Sequence, residues 1–184
     1  MRIALMILVA LLIISAAIGV SVILMGSFGD TEVRVLATSG VLSSYTVLMM
    51  PSLFHIEGGR YSHLTRLAVT ATSITLVLIL LLIWGVGPIG EEPLFRVLAS
   101  VAVLAVATNH SLVLLITRSA KLIVQISQRA TIAVIASVAA FFMFAIWNDG
   151  MAEPYLRVFL ALAVLDALGS IATPILVRST RSGT

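Results

Sequence analysis

The chain has 184 residues, of which 60% are hydrophobic and only 10% are charged. A soluble domain of this length cannot bury so much apolar surface, because too large a share of a small protein faces water. Cysteine is absent from the sequence, which excludes disulfides and thiolate metal sites. The net charge of +3 is small, and no nucleic-acid partner is expected.

Six apolar runs follow one another along the chain, and short polar segments separate them. A helix of about 20 apolar residues crosses the roughly 30 Å hydrocarbon core of a bilayer, and each run is long enough to do so. The runs are Ile3–Met25, Val33–Leu53, Leu67–Val86, Leu94–Thr117, Ala130–Trp147 and Pro154–Val177. The first run is too long for the core of a signal peptide, so we expect it to be retained. The sequence therefore predicts an all-α integral membrane protein with six transmembrane helices in a single domain, residues 1–184.

The charged residues are distributed by side of the membrane. Basic residues occupy the N-terminus, the second and fourth loops and the C-terminus: Arg2, Arg60, Arg66, Arg118, Lys121, Arg129, Arg178 and Arg181. Glu57 is the acidic residue on that side. The other three loops contain Asp30, Glu32, Glu91, Glu92, Asp149 and Glu153. Because lysine and arginine are retained in the cytoplasm, both termini are expected there, in a prokaryotic-type inner membrane or a plasma membrane.

A two-helix unit of about sixty residues is predicted to occur three times. Before each even-numbered run an acidic residue precedes an arginine by one helical turn, in the pairs Asp30 and Arg34, Glu92 and Arg96, and Glu153 and Arg157. A glycine lies upstream of each pair, namely Gly29, Gly90 and Gly150. These repeats predict three tandem hairpins, approximately 1–60, 61–121 and 122–184, around a pseudo-threefold axis along the membrane normal.

The repeated acid and arginine have a structural interpretation and a functional one. An acidic residue at a helix start can cap the free backbone N–H groups, and an arginine one turn later can pair with it. In the alternative, the three pairs form an external ion gate. Exposed pairs of this kind are common and weak, which favours the structural role.

The even-numbered runs carry most of the polar residues, so we expect the even helices to lie nearest the axis. Asp166 lies about 18 Å along the sixth helix from Pro154, close to the middle of the bilayer. It is either a proton or cation site or a neutral carboxyl that joins two helices. His110 is expected about 7.5 Å nearer the cytoplasm, so direct contact with Asp166 requires helix tilt or a bridging water. Ser170, at the register of Asn109, is the expected lateral partner.

Smaller features concern helix ends and helix packing. Pro51 and Pro174 are expected to mark helix ends or kinks. Gly169 is one of the glycines expected to allow close helix approach. The segment 121–129 is either a short interfacial helix or the base of the fifth span.

Three functions are compatible with the sequence. The first is a non-catalytic accessory or structural subunit that binds other membrane proteins or itself. The second is a small solute or ion transporter or channel, and its tentative binding residues are Ser43, Tyr45, Asn109, His110, Asp166 and Ser170. The third is a haem- or pigment-binding redox subunit that uses His110. No cofactor or metal is expected, because His55 and His63 fall in an inner loop and leave His110 without a second histidine. No nucleophile motif suggests an enzyme.

Overall fold

The structure is a computed structural model that describes residues 2–25, 29–59, 61–85, 91–116 and 121–181. Arg60, Gly90 and Arg118, which contributed to the charge and repeat arguments, lie outside the described residues.

Six α-helices account for almost all of the described chain. They are α1 (Arg2–Met25), α2 (Asp30–Gly58), α3 (Ser62–Trp84), α4 (Glu91–Ile116), α5 (Leu122–Trp147) and α6 (Glu153–Arg181). Each helix covers all or nearly all of one predicted apolar run, and the all-helical class is confirmed. The largest difference is at α5, which begins at Leu122. Most of the segment 121–129 is therefore the first part of the fifth helix.

Five of the six helices are long and apolar enough to cross a membrane. They are α2 to α6, and the qualifying stretches contain between 23 and 27 residues. In α1 the apolar stretch found among the described side chains is the shorter Leu12–Leu24. The chain is thus built as an integral membrane protein.

Glycines with positive φ end two of the helices. Gly59 (φ 62°) follows α2 and Gly85 (φ 65°) follows α3, and both adopt the left-handed conformation that glycine accepts without a Cβ clash. Pro51 and Pro174 lie inside α2 and α6, so neither proline ends its helix. Each removes one backbone N–H from the helical hydrogen-bond ladder.

The helices pack mainly against their neighbours in chain order. Each helix contacts the next one along the chain; in addition α2 contacts α4, and α4 contacts α6 at a small interface. Within the described residues α2 and α6 make no contact with each other, and neither do α1 and α6. Helix α4 therefore has the largest number of neighbours, whereas α6 is held mainly by α5.

The buried interior is small and contains many polar side chains. Its fully buried members include Leu112, Val124, Asn109, Thr72, Thr173 and Ser52. Large apolar side chains cover the outside of every helix, as is expected where lipid and not water surrounds the protein. Because Thr72 lies on α3, buried polar residues are not confined to the even helices.

Candidate functional site

Asp166 and Ser170 lie one turn apart on the same face of α6. The Ser170 hydroxyl donates a hydrogen bond to Asp166 Oδ1 over 3.2 Å. Helix α6 is positioned against α5 by Gly169, where an added Cβ would overlap Thr131 Oγ1, and by a 3.0 Å hydrogen bond between Ser127 and Thr173. Both contacts fix the part of α6 that carries Ser170.

His110 on α4 completes a three-residue chain. Its Nε2 lies 2.8 Å from Ser170 Oγ and 3.9 Å from Asp166 Oδ1. Since the serine hydroxyl donates to the carboxylate, the consistent arrangement has His110 Nε2–H donating to Ser170 Oγ. Side chains lean toward the N-terminus of their helix, and the long histidine side chain of α4 therefore reaches toward the level of Asp166. The Ser170 hydroxyl thus bridges the separation along the membrane normal that was predicted between His110 and Asp166.

A cavity of about 400 Å³ between α4, α5 and α6 opens onto this chain. His110 and Asp166 are the two ionisable residues that line it. The rest of the wall is apolar: Ala102, Val103, Val106, Ala107, Ile135, Val138, Ala139 and Phe142. The side chain of His110 is 36% exposed and that of Asp166 is 20% exposed, so both groups are accessible from the cavity.

His110 also lines a second cavity, which lies between α2 and α4 and has a volume of about 680 Å³. Ser43, Ser44, Asn109 and Pro51 contribute to the same wall. The imidazole of His110 therefore stands between two cavities, one on each side of α4.

The backbone adds a further polar group near Ser170. Pro174 has no N–H, so the Ser170 carbonyl oxygen lacks its normal helical donor. This places an acceptor oxygen on the residue whose hydroxyl links His110 to Asp166.

Asn109 does not join this chain, although it is adjacent to His110 in sequence. It is 1% exposed, and it accepts a 2.8 Å hydrogen bond from Ser52 Oγ on α2. Its Nδ2 donates to Thr72 Oγ1 on α3 and to the Ala105 carbonyl, both at 2.9 Å. Asn109 thus connects three helices in the buried interior, which is a structural position.

Ser43 and Tyr45 also lie apart from His110 and Asp166 in the hydrogen-bond network. Ser43 Oγ donates to Ser15 Oγ on α1 at 2.9 Å, and Ser15 and Ser39 exchange further hydrogen bonds at 2.5 and 2.6 Å. Tyr45 Oη lies 3.5 Å from Ser73 Oγ on α3. By hydrogen bonding, the six residues predicted as one site form separate groups, of which one joins His110, Ser170 and Asp166. Ser43 and Asn109 share only the wall of the cavity between α2 and α4 with His110.

The repeated acid–arginine motif forms ion pairs at two of its three positions in the described part of the chain. Arg96 lies 2.8 Å from Glu92 and also 2.8 Å from Asp149, which follows α5. Arg157 lies 2.5 Å from Glu153. All three acidic side chains are more than 70% exposed, so these pairs contribute little to stability.

The first copy of the motif differs from the other two. Asp30 is the first residue of α2, and Gly29 occupies the N-cap without a side-chain hydrogen bond. No contact between Asp30 and Arg34 comparable to the other two pairs occurs among the described side chains. Asp30 still lies in the first turn, where a negative charge meets the positive end of the helix dipole.

Sequence reasoning missed the residues that hold the helices around the site. Ser52 and Thr72 bind Asn109, and Gln128 Nε2 donates to the Leu114 carbonyl of α4 at 2.8 Å. Isolated hydroxyl or amide residues in apolar helices are a weak signal, since most of them bond to their own backbone. The polar side chain of Gln128 near the base of α5 was the clearest available indication.

Comparison with protein-family models, with curated proteins and with solved structures finds no match for this chain. Among the described residues, no group of three or more histidine, aspartate or glutamate side chains could hold a metal ion.

Proposed function

We propose that this chain is a small membrane transporter or channel that takes up a proton or small cation at His110, Ser170 and Asp166. The observation that supports the proposal is the continuous hydrogen-bonded chain from the imidazole through the serine hydroxyl to the carboxylate. Ionisable residues inside a membrane-spanning bundle are expensive and usually mark ion or proton pathways.

The attraction between the two side chains offsets much of the cost of placing charges inside the membrane. Each charged side chain at the bilayer centre costs about 2.5–3.5 kcal/mol. A carboxylate and an imidazolium 3.9 Å apart attract each other by about 4 kcal/mol at an effective dielectric constant of about 20. The pair can therefore occupy the membrane interior at a modest net cost.

The position of His110 supports a route through the protein. It lines the cavity between α2 and α4 as well as the cavity that contains Asp166. A proton that reaches His110 from the first cavity can pass through the Ser170 hydroxyl to Asp166 in the second. Imidazole and hydroxyl groups each donate and accept hydrogen bonds, as such a transfer requires.

Proton flux into reconstituted vesicles tests this proposal. The variants Asp166→Asn and Ser170→Ala should each reduce proton flux at least tenfold. A tenfold reduction corresponds to a rise of about 1.4 kcal/mol in the barrier to proton transfer. Glu153→Gln provides a matched control, since it neutralises an exposed acid on the same helix outside the cavity. Wild-type vesicles whose flux equals that of protein-free vesicles, or an Asp166→Asn variant with full flux, would contradict it.

A second candidate is a non-catalytic accessory or structural subunit of a membrane protein complex. The absence of contact between α2 and α6 in the described residues favours it, because the row of helices stays open on that side. Helix α6 also exposes a column of apolar side chains that includes Leu160, Val164, Leu168, Ile171 and Ile175. Mild-detergent extraction from native membranes should then yield a defined assembly with other subunits or further copies, and a lone monomer would count against this role.

The threefold internal repeat is part of our proposal and has support from equivalent contacts. Trp84 Nε1 on α3 donates to Thr38 on α2 at 3.3 Å. About sixty residues later, Trp147 Nε1 on α5 donates to Ser100 on α4 at 3.0 Å. A cavity of about 420 Å³ lies between α2 and α3. Nearly all the residues that line it occupy positions one repeat before the α4 and α5 residues that line the cavity next to Asp166. The pseudo-threefold axis along the membrane normal stays a prediction, because closing it requires a contact between α2 and α6, which do not touch within the described residues.

The remaining elements of the proposal concern topology. We include α1 as the sixth membrane span and place both termini in the cytoplasm of a prokaryotic-type inner membrane or a plasma membrane. The sided distribution of lysine and arginine in the sequence supports this orientation.

A further inference from the structure

The cavity between α4, α5 and α6 has the composition of a binding site for an amphiphilic molecule. Its volume of about 400 Å³ falls in the range of small-molecule sites, about 300–1,000 Å³. Helices α4 and α5 provide an aliphatic wall that includes Val103, Ile135 and Val138, while Asp166 of α6 supplies an acidic group. The ligand that fits must therefore combine an apolar body with a group that pairs with a carboxyl.

The carboxyl of Asp166 has an oxygen available for such a ligand. Its Oδ1 accepts the hydrogen bond from Ser170, and its Oδ2 has no hydrogen-bond partner among the described residues. Helix α4 presents His110 as the one titratable side chain near Asp166, and the cavity residues of α5 are all apolar. No arginine or lysine lines the described cavity to neutralise a carboxylate there.

The chemistry of the wall excludes several ligand classes. Calcium takes six to eight oxygen ligands, and here Asp166 and Ser170 supply too few. An anion is repelled by the carboxylate. A neutral apolar molecule leaves the unpaired Oδ2 without any compensation. An organic cation meets both requirements, since its charge pairs with the carboxylate and its apolar body contacts the aliphatic wall.

Phe142 strengthens this choice. Its ring lines the cavity and is held by an edge contact with Phe159 of α6, with ring centroids 4.8 Å apart and an interplanar angle of 83°. Aromatic rings attract ammonium groups electrostatically, and the attraction increases when water is excluded.

We infer that this cavity binds a small organic cation, an amine or quaternary ammonium ion with an apolar body, at the carboxyl group of Asp166. The inference rests on the proposed function, because both use the same carboxyl group.

Equilibrium dialysis of the full-length protein in lipid nanodiscs tests the inference with radiolabelled benzyltrimethylammonium. This ion carries a fixed charge. Its neutral isostere neopentylbenzene, in which carbon replaces nitrogen, is the matched ligand control. The wild type should bind the cation saturably, and a tenfold excess of the isostere should not displace it.

Three variants locate the binding. Asp166→Asn should weaken cation binding at least tenfold, whereas Glu153→Gln should leave it unchanged. Ala139→Leu narrows the cavity without altering the acidic group, and it should also weaken binding.

The outcomes separate the two proposals. Absence of saturable cation binding by the wild type, with proton flux that still requires Asp166, overturns the organic-cation inference and leaves the proposed function intact. Equal binding by the wild type and by a folded Ala139→Leu variant also overturns it. If Asp166→Asn fails to fold, Ala139→Leu and the comparison of the cation with its neutral isostere still decide. If the wild type shows no proton flux that depends on Asp166, the proposed function itself is contradicted.

Discussion

The hydrogen bond between Ser52 and Asn109 should couple α2 to α4 measurably. Asn109 makes two bonds to other helices, one with Ser52 and one with Thr72. Hydrogen bonds between membrane helices contribute on average about 0.6 kcal/mol and at most about 1.7 kcal/mol each. Loss of both, together with the cost of leaving the buried Ser52 hydroxyl without an acceptor, predicts that Asn109→Ala destabilises the fold by about 1–3 kcal/mol.

A double-mutant cycle isolates the contribution of this contact. The four proteins are the wild type, Ser52→Ala, Asn109→Ala and the double variant, and reversible unfolding in mixed micelles with increasing dodecyl sulfate gives their free energies of unfolding. We expect a coupling energy of about 0.6 kcal/mol. Ser44→Ala is the matched control, because the Ser44 hydroxyl bonds to the Gly40 carbonyl of its own helix at 2.9 Å. Its cycle with Asn109→Ala should give a coupling near zero. A Ser52–Asn109 coupling below about 0.2 kcal/mol would refute the reasoning.

Two further predictions concern packing and topology. Gly169→Ala should destabilise the fold by about 1–3 kcal/mol, because the new methyl group overlaps Thr131 Oγ1. Adding Thr131→Ala should restore part of the lost stability, because it removes Oγ1 and Cγ2 but keeps the Cβ at 3.1 Å. Gly40→Ala, which meets no atom within 4 Å, should be neutral or stabilising in the same unfolding assay. The chain has no native cysteine, so single cysteines report on sidedness: a membrane-impermeant maleimide should label Asn148→Cys in intact cells and Ser62→Cys only after permeabilisation. Labelling of both from the same side would exclude the proposed orientation.

Residues that stand out in an apolar sequence were good indicators of polar contacts. Asp166 and His110 were identified because ionisable groups are rare in membrane helices, and the structure joins them through Ser170. Asn109 was assigned to the same site, but one residue along a helix rotates the side chain by about 100°. Asn109 consequently faces Ser52 and Thr72, while His110 faces α6.

Helix ends were predicted less well than helix positions. Pro51 was expected near the end of α2, yet the helix continues to Gly58. Proline removes one hydrogen bond but does not end a helix whose surroundings favour helical backbone. A bilayer favours it strongly, because backbone N–H and C=O groups have no water to bond with there and must pair within the helix.

The sequence by itself determined that lipid surrounds this chain, where its helices run and which residues carry ionisable groups, because apolar length and rare charges are properties of single segments. The tertiary structure alone decided which helices meet and which side chains share a cavity. Contacts between membrane helices depend on the rotation of each helix and on close packing at residues such as Gly169. Several rotations of an almost uniformly apolar helix bury equivalent surfaces, so a few hydrogen bonds and tight contacts select among them.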